Sequence, residues 1–176
     1  MIFKETKLRG AFVIELERIE DERGFFARSW CQKEFEEHGL NPVIVQCNIS
    51  YNKKMGTLRG MHYQVSPYEE AKLVSCIRGS IFDVIIDLRR DSATYCQWFA
   101  VELSSDNYKM LYIPIGFAHG LQTLEDNTVV SYQMSEFYYA ECARGVRWDD
   151  TAFGVKWPIS KSIISTSDRQ LPDFIR

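Results

Sequence analysis

The chain has 176 residues, enough for one domain with a substantial core. Hydrophobic residues make up 45% and charged residues 26%, the balance of a globular protein. A formal net charge of -3 with no basic run argues against a nucleic-acid or anionic-membrane surface, and no apolar run approaches the roughly 20 residues that cross a bilayer.

Met1 to Gly10 carries Lys4, Glu5, Lys7 and Arg9 and lacks the apolar stretch of a signal peptide, so a cytoplasmic location is expected. Ala11 to Glu17 reads as a strand, Asp21-Glu22-Arg23-Gly24 as a charged turn, and Phe25 to Trp30 as the returning strand. Gln32 to His38 reads as a helix that stops at Gly39, with Pro42 soon after. Pro42 to Tyr51 and Thr57 to Gln64 read as strands joined by a polar turn, Asn52 to Gly56. Ala71 to Ile77 and Ile81 to Leu88 follow, separated by Arg78-Gly79-Ser80. Trp98 to Leu103, Met110 to Ile113, His119 to Leu124 and Thr128 to Met134 complete the strands, and the tail from Trp148 is expected to wrap them. Short strands with turn signals between them predict an all-β antiparallel sandwich or barrel, in one domain over residues 1–176.

The five cysteines, Cys31, Cys47, Cys76, Cys96 and Cys142, are scattered and form no CxxC motif, which reads as reduced thiols. Chemistry concentrates in Leu58-Arg59-Gly60-Met61-His62-Tyr63-Gln64. Strict alternation puts Leu58, Gly60, His62 and Gln64 on one face and Arg59, Met61 and Tyr63 on the other. A metal-binding barrel of this size places two histidines two apart on one strand. Here Gln64 stands two after His62, and the other histidines are His38 and His119, so no metal site is expected. No Gly-rich phosphate loop is present, and a phosphate would rest on arginines such as Arg23 and Arg59.

A metal-free set of His, Lys, Tyr and Asp suits proton removal from a carbon next to a carbonyl. An imidazole titrates near neutrality and serves as base. A lysine such as Lys72 stabilises the enolate oxygen, a tyrosine such as Tyr132 returns a proton to the other face, and a carboxylate such as Asp168 holds the imidazole tautomer. Each residue also has a structural reading. His62 is then a buried histidine satisfied by hydrogen bonds and Lys72 a solvated strand-edge lysine. Tyr132 and Tyr138 are core aromatics, and Asp168 is a turn residue after Ser165-Thr166-Ser167.

Along nearly its whole length the chain resembles the dTDP-4-dehydrorhamnose 3,5-epimerases. The resemblance rests on Asp21 to Phe26, Leu58 to Gln64, Ala71-Lys72-Leu73-Val74 and Phe82 to Arg89. It continues through Pro114 to Gly120, Arg144 to Asp150 and Trp157-Pro158. It implies a cupin-like double-stranded β-helix, a jelly-roll barrel with a few short helices. The implied reaction is epimerisation at C3 and C5 of a nucleotide-linked 4-keto-6-deoxy sugar, with neither metal nor organic cofactor. His62 would be the base, Asp168 its partner, Tyr132 the opposite proton donor and Lys72 the enolate stabiliser. Arg59 and Arg23 would bind the diphosphate or nucleotide. Gln46, Asn48 and Gln64 would line the site, with His119 close to the sugar and Tyr138 stacked on the base. Arg23 and Phe26 would reach in from the partner subunit of a homodimer, with Gly24 to Trp30 as the exchanged strand.

Four positions depart from the family pattern: Arg28, Ala143, Ser167 and Cys47. They resemble nucleotide-contacting positions. A carboxylate suits a base that donates N–H, as thymine does, whereas a cation suits an acceptor edge. CDP- or GDP-linked sugars therefore stay open beside dTDP, as does epimerisation at one carbon only. A sugar-nucleotide 3,4-ketoisomerase and a non-catalytic sugar-nucleotide-binding barrel are the remaining readings.

Overall fold

Residues 1–175 of the computed structural model carry fourteen strands and two short helices. In chain order these are β1 (Ile2–Glu5), β2 (Phe12–Glu15), β3 (Ile19–Asp21), β4 (Gly24–Phe26), α1 (Gln32–Glu37), β5 (Gln46–Asn52), β6 (Thr57–Gln64) and β7 (Lys72–Arg78). There follow β8 (Ser80–Asp87), β9 (Trp98–Ser104), β10 (Met110–Ile113), β11 (Phe117–Thr123), β12 (Thr128–Met134), β13 (Ala143–Gly145), β14 (Ile163–Ile164) and α2 (Thr166–Arg169).

One sheet has the order β1-β2-β10-β7-β12-β5 and is antiparallel throughout. The other has the order β13-β6-β11-β8-β9, with β14 added in parallel along β6. The two sheets face each other and close a cupin-like jelly roll. Between them lie Val74, Cys76, Leu111 and Val130 from the first sheet and Ile81, Ile85, Leu103 and Leu121 from the second. The outer face of the first sheet is covered by Phe35 of α1 and by Leu40, packed on Ile14, Leu73, Met110 and Tyr112. The outer face of the second takes the tail, with Val146, Phe153, Trp157 and Phe174 over Met61, Val84, Ile86 and Ala118. Apolar residues on both faces of β8, Ile81 and Ile85 inward and Val84 and Ile86 outward, follow from this arrangement, because both of its faces are covered.

Three strands are shorter than expected. The one expected over Phe25 to Trp30 ends at Phe26. It pairs only with β3, in an exposed hairpin. The one expected from Pro42 begins at Gln46, because Pro42 has no N–H to give a ladder and the Val43 N–H is taken by Asn41 Oδ1 at 3.0 Å. The strand expected over Ala11 to Glu17 is shortened to Phe12–Glu15. β1, β13 and β14 are edge segments of two to four residues, too short for an alternation to register. Among the described residues no helix is long and apolar enough to cross a membrane.

Candidate active site

The site begins with a bulge. Against β11, β6 pairs His62 with His119 and then Arg59 with Leu121. Two steps along β11 thus span three along β6, so β6 carries one extra residue. Beyond the bulge the facing is inverted. Arg59 shares the inner side with Leu121, and its Nε donates to Asn52 Oδ1 at 2.7 Å. Leu58 pairs instead with Gln122, whose side chain reaches out to Ile159 O and Ser162 Oγ of the tail. The strict alternation expected from sequence is therefore corrected: Arg59 and His62 line one cavity, and Met61 lies on the other side in the tail cluster.

The parallel pairing of β14 with Thr57 and Leu58 brings α2 beside the bulge. Ser165 caps α2, its Oγ accepting from the Asp168 N–H at 3.1 Å. Asp168 Oδ1 then lies 2.7 Å from His62 Nε2, and Oδ2 accepts from the Gly60 N–H at 3.4 Å. Burial raises the Asp168 carboxyl, but the bonds from His62, Gly60 and the Ser165 cap outweigh it and hold it below the ordinary value. An ionised carboxylate only accepts. In the neutral imidazole, Nε2 therefore carries the hydrogen and Nδ1 keeps its lone pair. The His62 side chain is 49% exposed, against 9% for Asp168.

The facing sheet supplies the remaining groups by register. Lys72 pairs with Met134, and Met134 with Gln46; Val74 pairs with Tyr132, and Tyr132 with Asn48. Cross-strand partners share a face, so Lys72, Tyr132, Gln46 and Asn48 all point inward beside the core residue Val74. Lys72 is buried, and its Nζ lies 2.8 Å from Glu70 Oε1. Burial pushes the Tyr132 phenol up to about 12, with Ser50 offsetting part of that rise, so the hydroxyl is protonated at neutral pH. Its ring meets that of His119 edge-on at 6.1 Å. His119 in turn bonds Asp83 Oδ1 through Nε2 at 2.7 Å, and Asp83 Oδ2 has no partner among the described residues.

A cavity of about 350 Å³ opens between these elements, lined by Gln46, Asn48, His62, Gln64, Glu70, Lys72 and Tyr138. It continues past the His62–Asp168 pair into a space of about 550 Å³ lined by Arg59, Ala143, Ser167 and Asp168. Among the described residues no group of three or more His, Cys, Asp or Glu is arranged to hold a metal.

The family model for dTDP-4-dehydrorhamnose 3,5-epimerase matches residues 5–175. The chain belongs to this family. A relative from Methanothermobacter thermautotrophicus, a dTDP-4-dehydrorhamnose 3,5-epimerase, is 44% identical over 95% of this chain and 91% of its own. The crystal structure of the Bacillus anthracis epimerase with TDP and PPi bound has a TM-score of 0.95 at 41% identity, covering 98% of this chain and 99% of that one. That of the Legionella pneumophila dTDP-6-deoxy-D-glucose-3,5-epimerase in complex with dTDP-4-keto-L-rhamnose has a TM-score of 0.91 at 34% identity, covering 98% and 92%.

Among the epimerase-family positions, His62, Lys72, Asp168, Gln46, Asn48, Arg59 and Tyr138 converge on the cavity. His119 and Tyr132 stand beside it on the inner faces. Gln64 reaches the wall, but its amide is already engaged. Nε2 donates to Tyr68 O and Phe137 O, and Oε1 accepts from the Tyr139 N–H. It ties together the two loops that rim the cavity. Arg23 and Phe26 lie away from this chain's cavity, on the exposed hairpin, where Arg23 pairs with Asp21.

The departing positions separate in space. Ala143 and Ser167 line the cavity, whereas Arg28 is paired with Glu34 at 2.7 Å. Cys47 lies on the outer face of β5, opposite to Gln46 and Asn48, and is exposed. Sequence reasoning missed Glu70 and Asp83. Glu70 has the same parity as Lys72, and Asp83 stands at an inward position of the apolar strand β8, and these parities were the available signal.

Proposed function

We propose that residues 1–176 form one dTDP-4-dehydrorhamnose 3,5-epimerase domain, an isomerase acting on dTDP-4-dehydro-6-deoxy-D-glucose in deoxysugar biosynthesis. The observation that carries this reading is the placement of proton acceptor and donor on opposite sheets. His62, braced by Asp168 of α2, projects from one, and Tyr132 with Lys72 from the other.

The substrate's 4-keto group acidifies both adjacent carbons, so the reaction draws its acidity from the sugar and needs no cofactor. His62 Nδ1 takes the proton, and Asp168 steadies the imidazolium that forms. The Lys72 ammonium meets the charge that gathers on O4. Tyr132 delivers a proton to the opposite face, which inverts the carbon. One acceptor–donor pair serves C5 and C3 in turn. Arg59 holds the diphosphate, Tyr138 stacks on the base, and Gln46, Asn48 and His119 hold the sugar. The dTDP-derived ligands of the two related crystal structures support a dTDP sugar over a CDP or GDP one. Tyr132 at the epimerase position counts against a ketoisomerase. The presence of all four reacting groups counts against a non-catalytic barrel.

The enzyme works in the cytoplasm, a reading supported by five cysteines that are all free. Incubation with dTDP-4-dehydro-6-deoxy-D-glucose, followed by NMR, is expected to yield dTDP-4-dehydro-L-rhamnose. Unchanged substrate in the presence of folded protein contradicts the assignment.

Its active unit is a homodimer, with Arg23 and Phe26 of each chain completing the site of the other. Exposed apolar residues support this. Ile19 is 71% and Phe26 73% exposed on the hairpin, and Ile49 69% on the outer face of the edge strand β5. An exposed apolar surface beside a sheet edge invites a second chain. Light scattering on the purified protein should give twice the chain mass, and Phe26→Asp should weaken both association and turnover. A monomer with full turnover contradicts the completed-site reading.

A further inference from the structure

The cavity contains a carboxylate for which the proton transfers have no use. Glu70 and Lys72 form an ion pair at 2.8 Å, and each side chain is only 8% exposed. Glu70 is the one ion-pair partner of Lys72 among the described residues. Burying such a pair costs hydration that two apolar side chains would not lose, so the pair is a poor device for stability alone. The segment that carries it is rigid. The Ala71 N–H donates to Ser135 Oγ at 2.7 Å, and the Ala71 C=O accepts from the Ser135 N–H at 3.0 Å. With Ala71 pinned, the residues on either side of it point to the same side, into the cavity.

We infer that Glu70 is a positioning residue for Lys72, holding its ammonium in the cavity at the place where the substrate's keto oxygen gathers negative charge. This rests on the epimerase reading. A lysine side chain has four rotatable bonds and a strongly hydrated end, and without a tether it turns toward water. Glu70 engages one of the three ammonium hydrogens and leaves two for the substrate. It also balances the buried charge before the enolate forms. The site is then preorganised, and little reorganisation is needed during the reaction.

The test is a double-mutant cycle on the dTDP-4-keto sugar, with kcat and KM measured for wild type, Glu70→Ala, Glu70→Gln, Lys72→Ala and the Glu70→Ala/Lys72→Ala pair. Glu70→Ala should lower kcat by about 10- to 100-fold, with KM changed by less than about threefold. Glu70→Gln keeps the shape and removes the charge, and it should fall with Glu70→Ala. In the Lys72→Ala background, Glu70→Ala should cost nothing further, because the residue acts through Lys72. Multiplicative losses in the double variant, or wild-type kcat in folded Glu70→Gln, overturn the inference while an active wild type leaves the epimerase reading standing. An inactive wild type overturns that reading and the inference with it.

Discussion

His62→Ala is expected to lower turnover of the 4-keto sugar by about 10²- to 10⁴-fold, the range a positioned general base supplies. The fold should survive the change. The imidazole is 49% exposed, and its one hydrogen bond among the described residues is to Asp168. Asp168 keeps the Gly60 N–H and the Ser165 cap after the ring is gone. Loss of one such bond costs about 1 kcal/mol, which for a chain of this size moves Tm by about 2–4 °C. Turnover and melting together decide the matter. Intact activity in a folded variant removes His62 as the base. A collapse of Tm along with activity would make His62 a structural residue.

Gly60→Ala is expected to destabilise the protein by about 3–5 kcal/mol, combining left-handed backbone strain with overpacking. Gly60 has φ +123°, which an L side chain rarely adopts. A Cβ there would stand 2.6 Å from Gly120 Cα and 2.8 Å from His119 O. Those contacts are backbone atoms of β11 and cannot rotate away. At an unstrained glycine the same substitution stabilises by about 0.4–1 kcal/mol through the unfolded chain. Here the sign reverses, because the bulge requires two backbones in near contact. Activity should fall further than stability alone explains, since the bulge is what turns Arg59 and His62 to one side. Denaturant melts of the variant check the first statement. Stability at or above wild type contradicts this account of the bulge.

That bulge also marks the limit of what was legible in the sequence. Strands with an apolar repeat, such as β8 and β12, could be read from their own residues, because each buries a face. His62, Lys72, Tyr132 and Asp168 could be singled out as a set suited to moving a proton beside a carbonyl, and the structure turns all four toward the barrel interior. The facing of Arg59 was not legible. It depends on which β11 residues stand opposite β6, and alternation within one strand carries no information about a partner that inserts no extra residue. Gln64 lines the cavity, as its place in the motif suggests, but its engagement was not legible. Its amide is held by backbone groups four, 73 and 75 residues away in sequence. Glu70 precedes its strand in a polar loop, so its parity with Lys72 becomes informative only once the pinned Ala71 backbone carries the alternation back to it. The free-standing hairpin of β3 and β4 was not legible either: the sequence predicts strands over Ala11 to Glu17 and Phe25 to Trp30 about this turn, and such a pattern is the same whether the pair docks or stands free.

In the proposed reaction His62 and its partners exchange protons at the carbons beside the keto group. The most direct measurement is to run the wild-type reaction on dTDP-4-dehydro-6-deoxy-D-glucose in deuterated water and locate deuterium by NMR. Product labelled at both C3 and C5 is expected, because each inverted carbon receives its new hydrogen from a group that exchanges with solvent. Product formed with no deuterium at either carbon, or no exchange at all by folded protein, would contradict the proposed reaction.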